Sequence, residues 1–307
     1  MIFPPKPQKG DTILLVSPSS PLKAEEPVER IARAVEERGY RVRIGASCRG
    51  QTACGYAAAS PEIRAKDINE GFGDRDINGI WCTRGGSTAA RMLPLLDYEL
   101  IRANPKPFLG FSDVTSLHMA MQQRCGLVTY HGPTANRLIQ FAENDWSWQG
   151  LAAVLGMEEQ LTIANPPGET IVPLRPGTAC GELIGGNLSL VTASLGTPWE
   201  IDTTGRVLFL EDVGEAVYAL ERMLMQLHYA GVLDKAAAVV LGAFTNCRNA
   251  YREDYGPEEL LRNFFAGYSK PVIANVRSAH CMPMVTLPLG ACCQVDGDSG
   301  TLTVYRR

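Results

Sequence analysis

Hydrophobic positions follow two alternating periods along the first half of the chain. Thr12 to Val16 is a short β-rich run, and after it Val28, Ile31, Ala32 and Val35 fall at i, i+3, i+4 and i+7, the apolar stripe of one helix face. Gly39 stops that helix and Arg41 to Ile44 resumes as a strand, so the segment reads as one β-α-β unit. The alternation continues with Ile63, Ile68 and Phe72 on a predicted helix, Ile80 to Thr83 on a strand and Ala89 to Leu96 on a helix. Pro107 to Phe111 then reads as a strand and Val114 to Arg124 as a helix. Strands that alternate with helices predict an α/β domain whose parallel sheet is flanked by helices. Ligands of such sheets sit beyond the carboxyl ends of the strands, which singles out the loops after Thr83 and after Phe111.

The pattern breaks between Asn165 and Thr178, where NPPGETIVPLRPGT has four prolines, two glycines and no period. This predicts a linker, 165–178, between an N-terminal domain of residues 1–164 and a C-terminal domain of residues 179–307. The second domain reads as mixed α/β: a Gly-rich turn and helix from Gly185 to Gly196, a strand from Val207 to Leu210, and a helix from Glu215 to Tyr229. A strand from Ala237 to Leu241 and a helix from Pro257 to Phe265 follow. Ala291 to Val295 and Thr301 to Tyr305, joined by Asp-Gly-Asp-Ser-Gly, form a predicted hairpin. At 307 residues the chain agrees with two domains of roughly 150 residues each.

Charge and cysteine content narrow the partners. The 29 Lys and Arg against 33 Asp and Glu give a net charge of -4, so there is no basic footprint for nucleic acid or anionic lipid. The longest apolar stretch, Ala236 to Phe244, is about half of the ~18 residues that suggest a membrane span. Met1-Ile2-Phe3-Pro4-Pro5-Lys6-Pro7 lacks the order of a signal peptide. The nine cysteines, Cys54 among them, are an odd number without zinc spacing, which points to reduced thiols in a cytoplasm. Cys292 and Cys293 are neighbours in a predicted strand and so point to opposite faces, as packing residues do.

Candidate chemistry begins at Phe108-Leu109-Gly110-Phe111-Ser112-Asp113-Val114-Thr115, which puts a serine where a buried strand meets a helix. A sharp turn there exposes a nucleophilic hydroxyl while the first helical N–H groups face any oxyanion. The plain alternative is that Ser112 or Asp113 caps the helix. A serine nucleophile needs a base, and the base a carboxylate. Of the four histidines, His118 lies on the same helix too far along to meet Ser112, and His228 sits in an apolar helix; both read as structural. His131 could line a pocket or pack, and His280 lies in a loop after the strand Val272 to Ala274. Leu208-Phe209-Leu210-Glu211-Asp212 ends a strand with an acid that needs a partner if buried. In Thr83-Arg84-Gly85-Gly86-Ser87 two glycines allow backbone N–H groups to approach an oxyanion, or simply form a turn.

Together these pieces resemble the LD-carboxypeptidases, a family of serine peptidases that includes muramoyltetrapeptide carboxypeptidases and microcin immunity peptidases. The resemblance is carried by Arg84-Gly85-Gly86, by Gly110 to Thr115, and by Gly185-Gly186-Asn187-Leu188 leading to Gly196-Thr197-Pro198-Trp199. Leu210-Glu211-Asp212 leading to Glu221-Arg222-Met223-Leu224, and His280 followed by Val285 to Gly290, complete it. It implies a Ser112, Glu211 and His280 triad, an oxyanion hole of the Gly86 and Asp113 N–H groups, and no metal or cofactor. It also implies an N-terminal parallel-sheet domain plus a smaller mixed α/β C-terminal domain, the active site between them, and a homodimer. The chain departs from the family pattern at Ser87-Thr88, where Tyr-Gly is usual, at Ala279, where Gly precedes the histidine, and at Ala216-Val217-Tyr218-Ala219.

The expected activity is release of terminal D-Ala from the tetrapeptide of recycled peptidoglycan by cleavage of an L,D bond. Arg84 is a candidate for the substrate's free carboxylate, because guanidinium pairs bidentately with it, and Asn187 a candidate for peptide binding. The alternatives are a peptidase of aminoacyl or peptidyl nucleotides and a catalytically silent binding protein of the same fold.

Overall fold

The computed structural model describes residues 1–50, 55–142 and 145–307; Cys54 lies outside them. The chain divides between Gly156 and Met157 into two compact units. In the first unit β1 (Thr12–Val16), β2 (Arg41–Ile44), β3 (Gly79–Cys82), β4 (Phe108–Gly110) and β5 (Thr129–His131) pair in parallel in the order β5-β4-β3-β1-β2. Leu14 of β1 stands opposite Arg43 on one side and Ile80 on the other. β1 and β3 are buried throughout their apolar positions, as central strands of a covered parallel sheet must be. Strand order reverses around β1, which places a crevice at the carboxyl ends of β1 and β3.

Helices α1 (Val28–Glu36), α2 (Pro61–Gly73), α3 (Tyr98–Ala103), α4 (Thr115–Cys125) and α5 (Trp146–Gly156) complete this unit. The stripe Val28, Ile31, Ala32 and Val35 is buried, as its spacing predicts. In α2, Ser60 accepts from the Ile63 N–H and Pro61 occupies the first turn, a standard helix start. The buried face of α2 differs from the apolar pattern, because Ile63 is 42% exposed while Arg64 is fully buried. The Arg64 guanidinium finds carbonyls to bond, described below. Ala89–Leu95 forms a 3-10 helix, not the expected α-helix, since Pro94 inside it lacks an N–H and would crowd the previous α turn.

The second unit, residues 157–307, is built on one mixed sheet of eight strands. These are β6 (Gln160–Ile163), β7 (Val172–Arg175), β8 (Thr178–Asn187), β9 (Val207–Val213), β10 (Ala238–Thr245) and β11 (Val272–Ala274). With β13 (Cys292–Asp296) and β14 (Thr301–Tyr305), which follow the short β12 (Leu287–Leu289), they run in the order β6-β14-β13-β8-β9-β10-β11-β7. β8 changes partner midway: Thr178 to Glu182 pair antiparallel with β13, and Leu183 to Asn187 pair parallel with β9. Gly185 belongs to that strand and not to the expected turn: it pairs with Phe209 of β9, and its close approach leaves no room for a Cβ beside the Phe209 carbonyl. The stretch 165–178, expected as a linker, contains β7 and belongs to this unit. Pro173 is tolerated because β7 is an edge strand, where a missing N–H leaves no ladder bond broken.

Helices α6 (Leu188–Ala193), α7 (Val217–Tyr229), α8 (Val232–Lys235) and α9 (Pro257–Phe264) pack with this sheet, and β13 and β14 form the predicted hairpin. Cys293 is buried and Cys292 half-buried, on the opposite faces that strand alternation requires. Among the described residues all eight cysteines are free thiols, and no helix is long and apolar enough to cross a membrane.

Candidate active site

The nucleophile candidate sits in the first unit, at the carboxyl end of β4. Ser112 has φ +67°, a left-handed conformation that non-glycine residues adopt at a cost of about 1–2 kcal/mol. A short 3-10 turn, Ser112–Val114, follows and passes into α4. Neither Ser112 nor Asp113 caps these helices with its side chain. The strained turn is the physical content of the strand-to-helix junction legible in the sequence. Gly85 packs directly on Ser112, where a Cβ would fall 2.8 Å from the serine Cβ and 3.1 Å from its Oγ. A Cβ on Gly86 would collide with the hydroxyls of Ser19 and Ser20. Both glycines are therefore required by close approach. Among the described residues neither the Gly86 nor the Asp113 N–H has a backbone acceptor.

Sequence reasoning missed the side chains beneath this loop. The Asp113 carboxyl, 1% exposed, accepts through Oδ2 from the Thr88 N–H at 2.7 Å, the Ala89 N–H at 2.7 Å and the Ser19 hydroxyl. Arg64 donates to the carbonyls of Pro18 at 2.6 Å, Ala59 at 3.0 Å and Thr88 at 3.1 Å, and to Thr88 Oγ1 at 3.0 Å. Arg64 stands at a position where helical spacing alone gives no cue. Arg84 is half-buried and, among the described residues, makes no ion pair. His118 is buried, bonded through Nδ1 to Thr129 Oγ1 and through Nε2 to the Gly110 carbonyl, both at 2.9 Å. Burial holds its pKa down to about 4, so it is a neutral brace between β4 and β5. His131 packs against Phe111 and His118.

The acid-base candidates sit in the second unit. β9 runs on to Val213, past its predicted end, so Glu211 lies on the strand with no exposed surface. His280 lies in the loop after β11, and its Nδ1 donates to Glu211 Oε2 at 2.9 Å. That bond fixes the tautomer: with the proton on Nδ1, the neutral ring carries its lone pair on Nε2, where a general base needs it. Burial raises the Glu211 pKa, while the His280 bond and the Asn187 amide pull it back. Ala279, beside the histidine, has φ +84°.

Asn187 is 4% exposed. Its Oδ1 caps α6 at the Leu190 N–H, and its Nδ2 donates to Asp212 Oδ1 at 2.9 Å. Asp212 also accepts from the Ser189 N–H and hydroxyl, so these residues tie the end of β8 and the start of α6 to β9. His228 is exposed on α7 beside Tyr229, not packed in a core. No group of three or more His, Cys, Asp and Glu side chains among the described residues is placed to hold a metal.

Comparisons with known proteins match both units of the chain. Residues 13–132 match the LD-carboxypeptidase N-terminal domain and residues 180–295 the LD-carboxypeptidase C-terminal domain. The chain is 36% identical to the probable murein peptide carboxypeptidase of Bacillus subtilis, over 92% of this chain and 88% of that protein. It is 30% identical to the murein tetrapeptide carboxypeptidase of Pseudomonas aeruginosa, over 93% of each. Its fold matches the microcin self-immunity protein MccF, solved with aspartyl sulfamoyl adenosine, at a TM-score of 0.89 and 26% identity, covering 100% of this chain and 99% of that one. With both of its domains matched, the chain belongs to the LD-carboxypeptidase family of serine-type hydrolases.

Proposed function

We propose that the chain removes the terminal D-Ala from the free tetrapeptide L-Ala-D-Glu-meso-diaminopimelate-D-Ala, as a cytoplasmic enzyme of peptidoglycan recycling. The observation that carries a triad mechanism is the His280 Nδ1 to Glu211 Oε2 bond of 2.9 Å on a fully buried carboxyl. In this reading His280 Nε2 takes the Ser112 proton as Oγ bonds to the peptide carbonyl carbon. The oxyanion is received by the N–H groups of Gly86 and Asp113. The C–N bond then breaks with the proton passing from His280 to the departing amine, and water, deprotonated by the same imidazole, releases the acyl group from Ser112. Glu211 holds the tautomer and stabilises the imidazolium. A silent binding protein has no use for a buried acid spent on orienting one imidazole.

Arg84, half-buried and without an ion pair among the described residues, is the proposed partner of the substrate's terminal carboxylate. Asn187 is proposed to act on the peptide only through the position of β8 and α6, since its own polar atoms already bond Leu190 and Asp212. The close likeness to MccF supports a second reading, hydrolysis of aminoacyl or peptidyl nucleotides. Mass spectrometry of the purified protein incubated separately with the tetrapeptide and with an aspartyl adenylate analogue decides between them. Loss of one D-Ala from the tetrapeptide is the expected result; cleavage of the nucleotide conjugate alone would transfer the assignment to the second reading.

A homodimer is supported by the exposed face of α7. Tyr218, Arg222, Met225 and Tyr229 follow one stripe at spacings of four, three and four, with Tyr218 59% and Tyr229 79% exposed. That spacing reads the same in both directions, so a two-fold axis at its centre would set Tyr218 of one copy against Tyr229 of the other. Tyr, Arg and Met are also the residue types enriched at interface centres.

A further inference from the structure

We propose that the Asp113 side chain is a positioning residue of the reaction: it locks the Gly85-Gly86 loop against the nucleophile turn and so aims the oxyanion donor of Gly86. This inference rests on the reading of Ser112 as nucleophile. Two adjacent glycines have no side chains with which to fix themselves, so their geometry must be imposed from the ends of the loop. At the leading end Thr83 Oγ1 bonds Ser17 Oγ at 2.6 Å. At the trailing end Thr88 is held from two sides, its N–H by Asp113 and its carbonyl and hydroxyl by Arg64.

The Asp113 carboxyl does not serve its own helix, which is where an acid in a first turn ordinarily bonds. It reaches a segment 24 to 25 residues away, to the first N–H groups of the 3-10 helix at Ala89 and to Ser19. Three donors converge on one oxygen, and Ser19, Thr88 and Ala89 are all buried. Such a carboxyl is costly to bury without those donors. Asp113 is covalently next to Ser112, whose φ of +67° is kept only if the surroundings hold it. One carboxyl thus joins the strained nucleophile to the loop that must receive the oxyanion, and displacing either displaces the other.

The test compares kcat and KM for wild type, Asp113→Asn, Asp113→Ala, Ser19→Ala and Ser112→Ala on the tetrapeptide, with binding of a tetrahedral phosphonate analogue. Asp113→Asn keeps an acceptor oxygen of lower charge, so kcat is expected to fall about 100-fold with KM changed by less than about 3-fold. Asp113→Ala falls further, and analogue affinity falls in step with kcat/KM. Ser19→Ala, which removes one donor from the same oxygen without touching the turn, lowers kcat about 5-fold. Wild-type kcat in Asp113→Asn, beside an inactive Ser112→Ala, would overturn the positioning role. Should Asp113→Asn fail to fold, an unchanged kcat in Ser19→Ala overturns it. Turnover persisting in Ser112→Ala would instead defeat the nucleophile assignment on which the inference stands.

Discussion

Glu211 is a buried acid whose pKa is raised by its burial. The folded state therefore holds that proton more tightly than the unfolded chain, and the group subtracts stability as pH rises past the ordinary glutamate range. Glu211→Gln is expected to melt above wild type near pH 7, with the advantage vanishing below about pH 4, while turnover drops about 1,000-fold or more. Thermal unfolding and kcat measured on the same preparations check both halves; a destabilised variant at neutral pH would contradict the electrostatic account. Ala279, at φ +84°, occupies a conformation that glycine adopts without strain. Ala279→Gly is expected to gain roughly 1 kcal/mol in urea unfolding, and a loss would show that the loop is held by contacts, not strained by them. The strained strand-to-helix turn at Ser112 and the buried acid Glu211 on β9 were legible because each stands in a short, ordered motif. Asp113 and Arg64 were not legible as loop anchors, since the loop residues they hold, Thr88 and Ala89, lie 24 or 25 residues away and helical spacing marks neither.

At the scale of elements, strongly periodic segments were read well and segments ruled by proline or partner choice were not. α1 follows its i, i+3, i+4, i+7 stripe, whereas β7 hides in a proline-rich stretch because an edge strand needs only half of its backbone bonds. β9 runs past its apolar residues into Glu211 and Asp212, because α6 and His280 supply the partners those acids need. α4 carries a measurable signature of burial. His118 has its pKa held down to about 4 from 6.5, so between those values the unfolded chain binds a proton that the folded state refuses. Stability from this group is complete above 6.5 and is lost as pH falls toward 4, at about 1.4 kcal/mol per pH unit. Urea titrations across that window should show a His118→Gln variant with a shallower pH slope by that amount, and parallel slopes would argue that His118 titrates normally.

For the whole molecule, the alternation of strands and helices gave the parallel sheet of the first unit, two short runs joined by Asp-Gly-Asp-Ser-Gly gave the hairpin of the second, and five short blocks gave the family. The division at Gly156 was hidden, because no composition change marks it. Light scattering of the full chain should report a dimer, with Tyr218→Ser/Tyr229→Ser giving a monomer of unchanged circular dichroism; a dimer surviving that change would place the interface elsewhere. The central claim is that Ser112 is a nucleophile activated by the His280 and Glu211 pair. Its most direct test is intact-protein mass spectrometry and peptide mapping after brief exposure to a peptidyl fluorophosphonate. The account predicts one adduct per chain, mapped to Ser112, absent in Ser112→Ala and formed at least 100-fold more slowly in His280→Ala. An adduct on another residue, or labelling of His280→Ala at the wild-type rate, would contradict it.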